Sequence, residues 1–272
     1  MMCELFAMSC RWPATVTFSL STLASHGGGG KPYADGWGVA FYDDRDAFVF
    51  REANTVYKSP LVDFVESHGP QSTLVISHLR RASSGLSSLA NTHPFARPLG
   101  AHLHMFAHNG NLKDIFDLPK FSTGRHLPLG NTDSEWAFCA LLARLEPIWA
   151  NGSTPSPSSR RQVIAKFASD LKTLGSANFL YTDSEYLFAY SDRRRQENGR
   201  YVAPGLHILT RQCIGEPSDK RTGGVSVDSQ AQTIFLVASV PLTNENWHPL
   251  GEGELLMVRQ GEIYADSSPI PS

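Results

Sequence analysis

Short apolar runs, β-branched or aromatic and separated by turn residues, recur along almost the whole chain. They predict strands near residues 3–8, 37–42, 47–51, 73–78, 102–108, 177–182, 186–191, 206–209, 234–239, 254–259 and 262–265. Helical periodicity is clearest over 134–145, where Trp136, Cys139, Ala140, Ala143 and Leu145 recur, and over 160–174, where Val163, Phe167, Leu171 and Leu174 do. Asp133 followed by Glu135 supplies an acidic start for the first of these helices. Weaker helical patterns cover 15–24, 60–66 and 112–117. The helices interrupt two blocks of strands instead of alternating with single strands, which argues for antiparallel sheets covered by helices over a doubly wound parallel sheet. The expectation is one α+β domain over residues 3–266, with 151–159 (NGSTPSPSS) as a surface loop, a flexible glycine run at 27–30 and a frayed tail beyond 266.

Composition adds exclusions. At 272 residues with 41% hydrophobic and 18% charged content, the chain can bury a substantial core. A formal charge of −2 gives no global attraction to nucleic acid or anionic lipid, and the short basic runs Arg193-Arg194-Arg195 and Arg160-Arg161 read as solvated loop charge. Four cysteines without a CxxC pair argue for a reducing compartment. No apolar run approaches the ~18 residues of a membrane span, and there is no apolar signal segment. The expected protein is cytoplasmic, with no nucleic-acid and no membrane partner, and its oligomeric state is left open.

Candidate chemistry begins at Cys3. Should the methionines before it be removed, its thiol and a free α-amine would share one residue, a nucleophile beside a base that titrates near pH 8. Taken alone, an early cysteine is usually only a small buried hydrophobe. His108-Asn109-Gly110 ends an apolar run. Asn-Gly by itself reads best as a hairpin turn, yet an Asn amide and a Gly N–H can also face a developing oxyanion. Arg80, after the run ending in His78, can grip a carboxylate bidentately, although a loop arginine is the blander reading. His93, before Pro94, is by type more often a structural hydrogen-bonder than a catalyst. In Asn131-Thr132-Asp133-Ser134-Glu135, one polar residue is expected to cap the helix, and Asp133 can alternatively face an ammonium group. Arginine and aspartate together would recognise both charged ends of an amino acid. His102, His104 and His108 share one face of a strand, but no carboxylate stands at a ligand spacing and HExxH is absent, so no metal is expected.

Together, Cys3-Glu4-Leu5, Asp35-Gly36-Trp37-Gly38, His78-x-Arg80-x-Ala82, Asn91-Thr92-His93-Pro94-Phe95, His108-Asn109-Gly110 and Thr132-Asp133-Ser134-Glu135 resemble, in order, the motifs of class II glutamine amidotransferases. These belong to the N-terminal nucleophile hydrolases, and the likeness is greatest to the stand-alone YafJ-type branch, continuing through Pro241-Leu242-Thr243-x-Glu245-x-Trp247. The resemblance implies a four-layer αββα sandwich of two antiparallel sheets between helices. It implies Cys3 as nucleophile, Asn109 and Gly110 as oxyanion hole, and Arg80 and Asp133 holding the substrate α-carboxylate and α-ammonium, with His93 beside them. No metal or organic cofactor is implied. Synthase-linked members carry an arginine-glycine element where this chain has Ser25-His26-Gly27-Gly28, and positions after Arg80 also differ.

The implied reaction gives glutamate and ammonia through a thioester on Cys3. The glutaminase-like domain consumes nearly the whole chain, so an ammonia-accepting synthase would be a separate partner. Two alternatives stay open: a γ-glutamyl amidohydrolase that frees an amine from a γ-glutamyl amide, and a non-catalytic glutamine-binding regulatory protein.

Overall fold

The computed structural model describes residues 3–18, 35–57, 59–80, 87–150, 153–196, 198–214 and 225–264. The strands are β1 (Glu4–Phe18), β2 (Gly36–Asp43), β3 (Asp46–Glu52), β4 (Ser72–Arg80), β5 (Phe95–Leu99), β6 (His102–Gly110), β7 (Ala177–Thr182), β8 (Leu187–Ser191), β9 (Arg194–Arg195), β10 (Tyr201–Val202), β11 (His207–Cys213), β12 (Val225–Asp228), β13 (Gln232–Ala238), β14 (His248–Pro249), β15 (Glu254–Arg259) and β16 (Glu262–Ile263). Among the described residues three α-helices accompany them: α1 (Pro60–His68), α2 (Asp133–Trp149) and α3 (Pro157–Lys172). One sheet runs β14-β11-β13-β1-β4-β2-β3 with β12 also on β1, and the other runs β16-β15-β8-β7-β6-β5. The pairings within both sheets are antiparallel.

Alternation along the strands sets the layers, because successive side chains leave opposite faces of a sheet. From β1, Leu5 and Ala7 point into a core shared with Ala40, Ile76, Met105, Ala107, Leu180 and Ala189, which is the seam between the two sheets. Phe6, Met8 and Cys10 point the other way, onto a core with Phe41, Val75 and the α1 residues Val62 and Val65. On the far side, Phe106, Phe179, Tyr181 and Phe188 pack beneath α2 and α3 through Phe138, Leu141, Leu145, Phe167 and Leu171. The order is helix, sheet, sheet, helix: a four-layer α+β sandwich of the N-terminal nucleophile hydrolase type.

Local chemistry sets the helix starts. Ser59, Thr132 and Ser156 each accept a hydrogen bond from a backbone N–H of the first turn, and Pro60 and Pro157 occupy first-turn positions where no amide partner is lost. Thr132, not Asp133, is therefore the cap of α2, which leaves the Asp133 carboxylate available for other contacts.

Some expectations need correction. The weak helix at 15–24 is not formed over 15–18, which instead pair with Val225–Asp228 as the far end of β1; residues 19–24 lie outside the described residues, as do the glycine run at 27–30 and the tail beyond 266. The pattern at 112–117 is a single 3-10 turn, Ile115–Asp117. Strand β5 was not foreseen, since Pro94 and Pro98 interrupt its apolar pattern; it survives as the edge of its sheet, where a missing N–H costs least. Asn109-Gly110 is no hairpin turn: both residues continue β6, opposite Asn178 and Ala177. Among the described residues, no helix is long and apolar enough to cross a membrane.

Candidate active site

The start of β1 sits in the middle of its sheet, between β13 and β4. Its register with β4 pairs Glu4 with Leu79 and Leu5 with His78, so Cys3 and Arg80 are the next residues of the two chains at that end of the ladder. Asn109, from the end of β6 in the opposing sheet, donates its Nδ2–H to the carbonyl of Cys3 at 2.6 Å. Asn109 is itself set from beneath: Asn178 Nδ2 donates to its carbonyl at 3.3 Å and to that of Arg193 at 2.9 Å. The two sheets thus meet at Cys3.

A buried clamp holds the residues that follow. Arg194 donates through Nη2 to Glu4 Oε1 at 3.1 Å and through Nη1 to the carbonyl of Ser239, while Ser239 exchanges hydrogen bonds with the backbone of Leu5 at 3.0 Å each. Glu4, Arg194 and Ser239 are all buried. A buried arginine–glutamate pair is tolerated only with good partners, and anchoring the strand that follows Cys3 gives this one a purpose. Neither Arg194 nor Ser239 was singled out as a site residue from the sequence, because Arg193-Arg194-Arg195 looks like any solvated basic run. The signal that could have found Arg194 was the acidic Glu4 directly after the candidate nucleophile.

Cys3, Arg80, His93, Gly110 and Asp133 line one cavity of about 480 Å³, with His78 and His108 also on its wall. Arg80 is buried, and its Nη1 has no hydrogen-bond partner among the described residues. A buried donor of this kind costs free energy unless something comes to meet it. Asp133 Oδ2 accepts the N–H of Leu112 at 2.7 Å and Oδ1 that of Ser134 at 2.8 Å, so its carboxylate is oriented by backbone. Ser134 Oγ bridges onward to Nδ1 of His108 at 2.8 Å. The cavity therefore presents a cation and an oriented anion, the arrangement an amino-acid zwitterion requires. Glu135, two residues on, turns instead to Arg97 and to the N–H groups of Leu129 and Gly130.

Three imidazoles on the cavity wall are held neutral. Burial, then the charges of His108 and Arg80, pushes His78 down to about 3. Burial and the neighbouring cationic groups likewise hold His93 well below the ordinary range, and burial lowers His108. His93 packs between His78 and Phe95, with ring centroids 4.1 and 4.3 Å away, and neither of its ring nitrogens has a hydrogen-bond partner among the described residues. The structural hydrogen bond expected of His93 by residue type is therefore not made. With the rings neutral, Arg80 and Lys113 are the cations that line the cavity.

Gly110 is required by space: a Cβ there would stand 1.9 Å from the carbonyl oxygen of Ser176 and 2.7 Å from His108 Nε2. Burial pushes the thiol of Cys10 up to about 12 and that of Cys139 up to about 11, so both are poor nucleophiles at neutral pH, and neither lines the cavity that Cys3 does. No group of three or more potential metal ligands occurs among the described residues.

The fold is of the N-terminal nucleophile hydrolase type, and its cavity brings together a cysteine, an arginine and a backbone-oriented aspartate. The family described as Glutamine amidotransferases class-II matches residues 2–271, and the chain belongs to it. The chain is similar to the Escherichia coli (strain K12) protein named "Putative glutamine amidotransferase YafJ", 34% identical over 268 residues, 96% of this chain and 99% of that one. The 2.0 Å crystal structure titled a predicted glutamine amidotransferase from Pseudomonas aeruginosa PA01 superposes with a TM-score of 0.71 at 32% identity, covering 97% of this chain and all of that one. The glutamine phosphoribosylpyrophosphate amidotransferase of B. subtilis shares the fold, with a TM-score of 0.57 at 13% identity over 97% of this chain and 48% of that one. The protein is accordingly an enzyme of glutamine amide hydrolysis or transfer.

Proposed function

We propose that the protein, acting as a single amidotransferase domain, hydrolyses the side-chain amide of glutamine through a thioester on Cys3. The observation that carries this reading is the convergence on one cavity of Cys3, an incompletely paired Arg80 and a backbone-oriented Asp133, with Asn109 hydrogen-bonded to the Cys3 residue. Arg80 takes the α-carboxylate of glutamine and Asp133 its α-ammonium, which presents Cδ of the side chain to Sγ. The sulfur attacks as its proton passes to the α-amine of Cys3, which is available once Met1 and Met2 are gone. The oxyanion is met by the Asn109 amide and the Gly110 N–H, and as it collapses the C–N bond breaks while the α-ammonium returns its proton to the departing nitrogen, releasing ammonia and freeing the amine. Water, deprotonated by the same amine, cleaves the thioester and releases glutamate. His93 bounds the pocket as a neutral wall.

Labelling with a diazo-ketone analogue of glutamine, followed by mass mapping of the N-terminal peptide, tests the scheme. The expected result is one adduct on a Cys3 whose amine is free, with Cys3→Ala abolishing both label and turnover. Label on Cys10 or Cys139, or a Cys3→Ala protein with wild-type turnover, overturns it.

A further inference from the structure

A second cavity, of about 560 Å³, adjoins Cys3. It meets the first along Cys3, Gly110, Asn111 and Lys113, and its remaining wall includes Asn109, Asn178, Arg193 and Arg195. The two cavities differ in charge. The first holds Arg80 together with Asp133, Asp114 and Asp117, whereas among the described residues no carboxylate lines the second.

Its cations are not equally committed. Arg194 is spent on Glu4 and the Ser239 carbonyl. Arg193 Nε lies 3.7 Å from buried Asp192 and 3.9 Å from Glu252, and makes no hydrogen bond among the described residues. Glu252 is shared with Lys172 at 2.9 Å, and Lys113 is exposed, 4.0 Å from Asp114. Arg195 has no carboxylate within ion-pair distance among the described residues. Net positive charge is therefore left over beside the nucleophile. The volume is many times the ~30 Å³ of a water-sized leaving group such as ammonia.

We propose that this second cavity is a leaving-group subsite that selects amines bearing a carboxylate, so that the preferred substrates are γ-glutamyl amides of acidic amines. The inference rests on the reading of Cys3 as the nucleophile. With the γ-glutamyl zwitterion held by Arg80 and Asp133, the amide bond lies over Cys3 and the amine side projects into the cavity of Arg193 and Arg195. The C–S bond forms first, giving the tetrahedral oxyanion; its collapse breaks the C–N bond, and the amine departs with the thiol proton handed on by the Cys3 α-amine. The guanidinium groups hold its carboxylate meanwhile, in the bidentate manner that suits arginine.

Calorimetry on full-length Cys3→Ala protein separates binding from turnover, with γ-glutamylglycine, γ-glutamylglycinamide and glutamine as probes. The acidic dipeptide is expected to bind about five- to tenfold tighter than its amide, as two partly exposed ion pairs allow. Adding Arg193→Gln and Arg195→Gln should erase that difference and leave glutamine affinity unchanged. Equal affinity for the two conjugates, or an equal loss for both in the arginine variant, overturns the subsite. Protein with native Cys3 is assayed in parallel. If the binding difference is present but neither conjugate nor glutamine is hydrolysed, the thioester reading fails and the subsite stands.

Discussion

Two clusters of buried histidine and arginine lie near opposite ends of β6, and they are finished differently. At one end, His104 uses both ring nitrogens, on the Tyr181 hydroxyl at 2.6 Å and the Leu99 carbonyl at 3.0 Å, and His102 Nδ1 meets Ser184 Oγ at 2.7 Å. Beside them, Arg160 donates to Asp183, Glu185 and the Pro155 carbonyl while lying over the rings of Trp149 and Tyr186. At the other end, buried nitrogens of His78, His93 and Arg80 have no hydrogen-bond partner among the described residues, and of His108 only Nδ1 has one there. The residue types are alike; the satisfaction of their polar atoms is not. Paired imidazoles and a fully engaged arginine mark the structural cluster, although the buried Trp149 Nε1 beside them has no partner among the described residues, and orphaned imidazole and guanidinium nitrogens mark the one that has kept room for a ligand.

Removing each arginine should break the symmetry most visibly. Arg160→Met strands the buried Asp183 carboxylate and is expected to cost about 3–5 kcal/mol in urea unfolding. Arg80→Met should change stability by less than about 1 kcal/mol while raising KM for glutamine steeply, since it deletes a charge that has an unpaired nitrogen. Similar stability losses in both would erase the distinction.

Asn109→Ala should lower kcat by about 10²–10³-fold, close to 3 kcal/mol of transition-state stabilisation, with KM little altered. A change confined to KM would move the amide out of the oxyanion hole. The third expectation concerns pH. The folded pKa of His78, about 3, lies below that of an unfolded histidine, so below about pH 6.5 the unfolded chain binds a proton the folded one does not. Stability therefore falls with pH through that window, by ~2 kcal/mol between pH 7 and pH 5 for His78 alone. In His78→Gln, denaturation curves at the two pH values should differ by that much less, and an undiminished difference would show that His78 is not the group being titrated. The smallest effect is expected from Ser134→Ala, which removes the bridge between Asp133 and His108. A rise of a few-fold in KM for glutamine at constant kcat, about 1 kcal/mol, would separate this orienting role from one in chemistry.

Much of this was legible in the chain. Alternation located most of the longer strands, and β7 and β15 match their expected ranges residue for residue. The ordered motifs led to Cys3, Arg80, Asn109, Gly110 and Asp133, which the fold gathers around one strand end. What escaped was long-range or masked by composition. The partnership of Arg194 with Glu4 spans 190 positions, and no local pattern announces it. The 15–18 segment carries a helical pattern that pairing with β12 overrides, and β5 hides between prolines. Asn178 looks like any polar strand residue until Asn109 is seen resting on it. Asn109-Gly110 shows the converse, a pair whose commonest local meaning is displaced by its place at the end of a central strand.

The central position of β1 also dictates when the enzyme can come into being. The strand that follows Cys3 is made long before one of its two flanking partners, β13, which pairs Val237 with Ala7. Such a ladder closes a very long loop and cannot form until β13 has left the ribosome. A nascent chain that stops short of β13 thus carries Cys3 without the full sheet that holds it, and the site is assembled only after that strand is made.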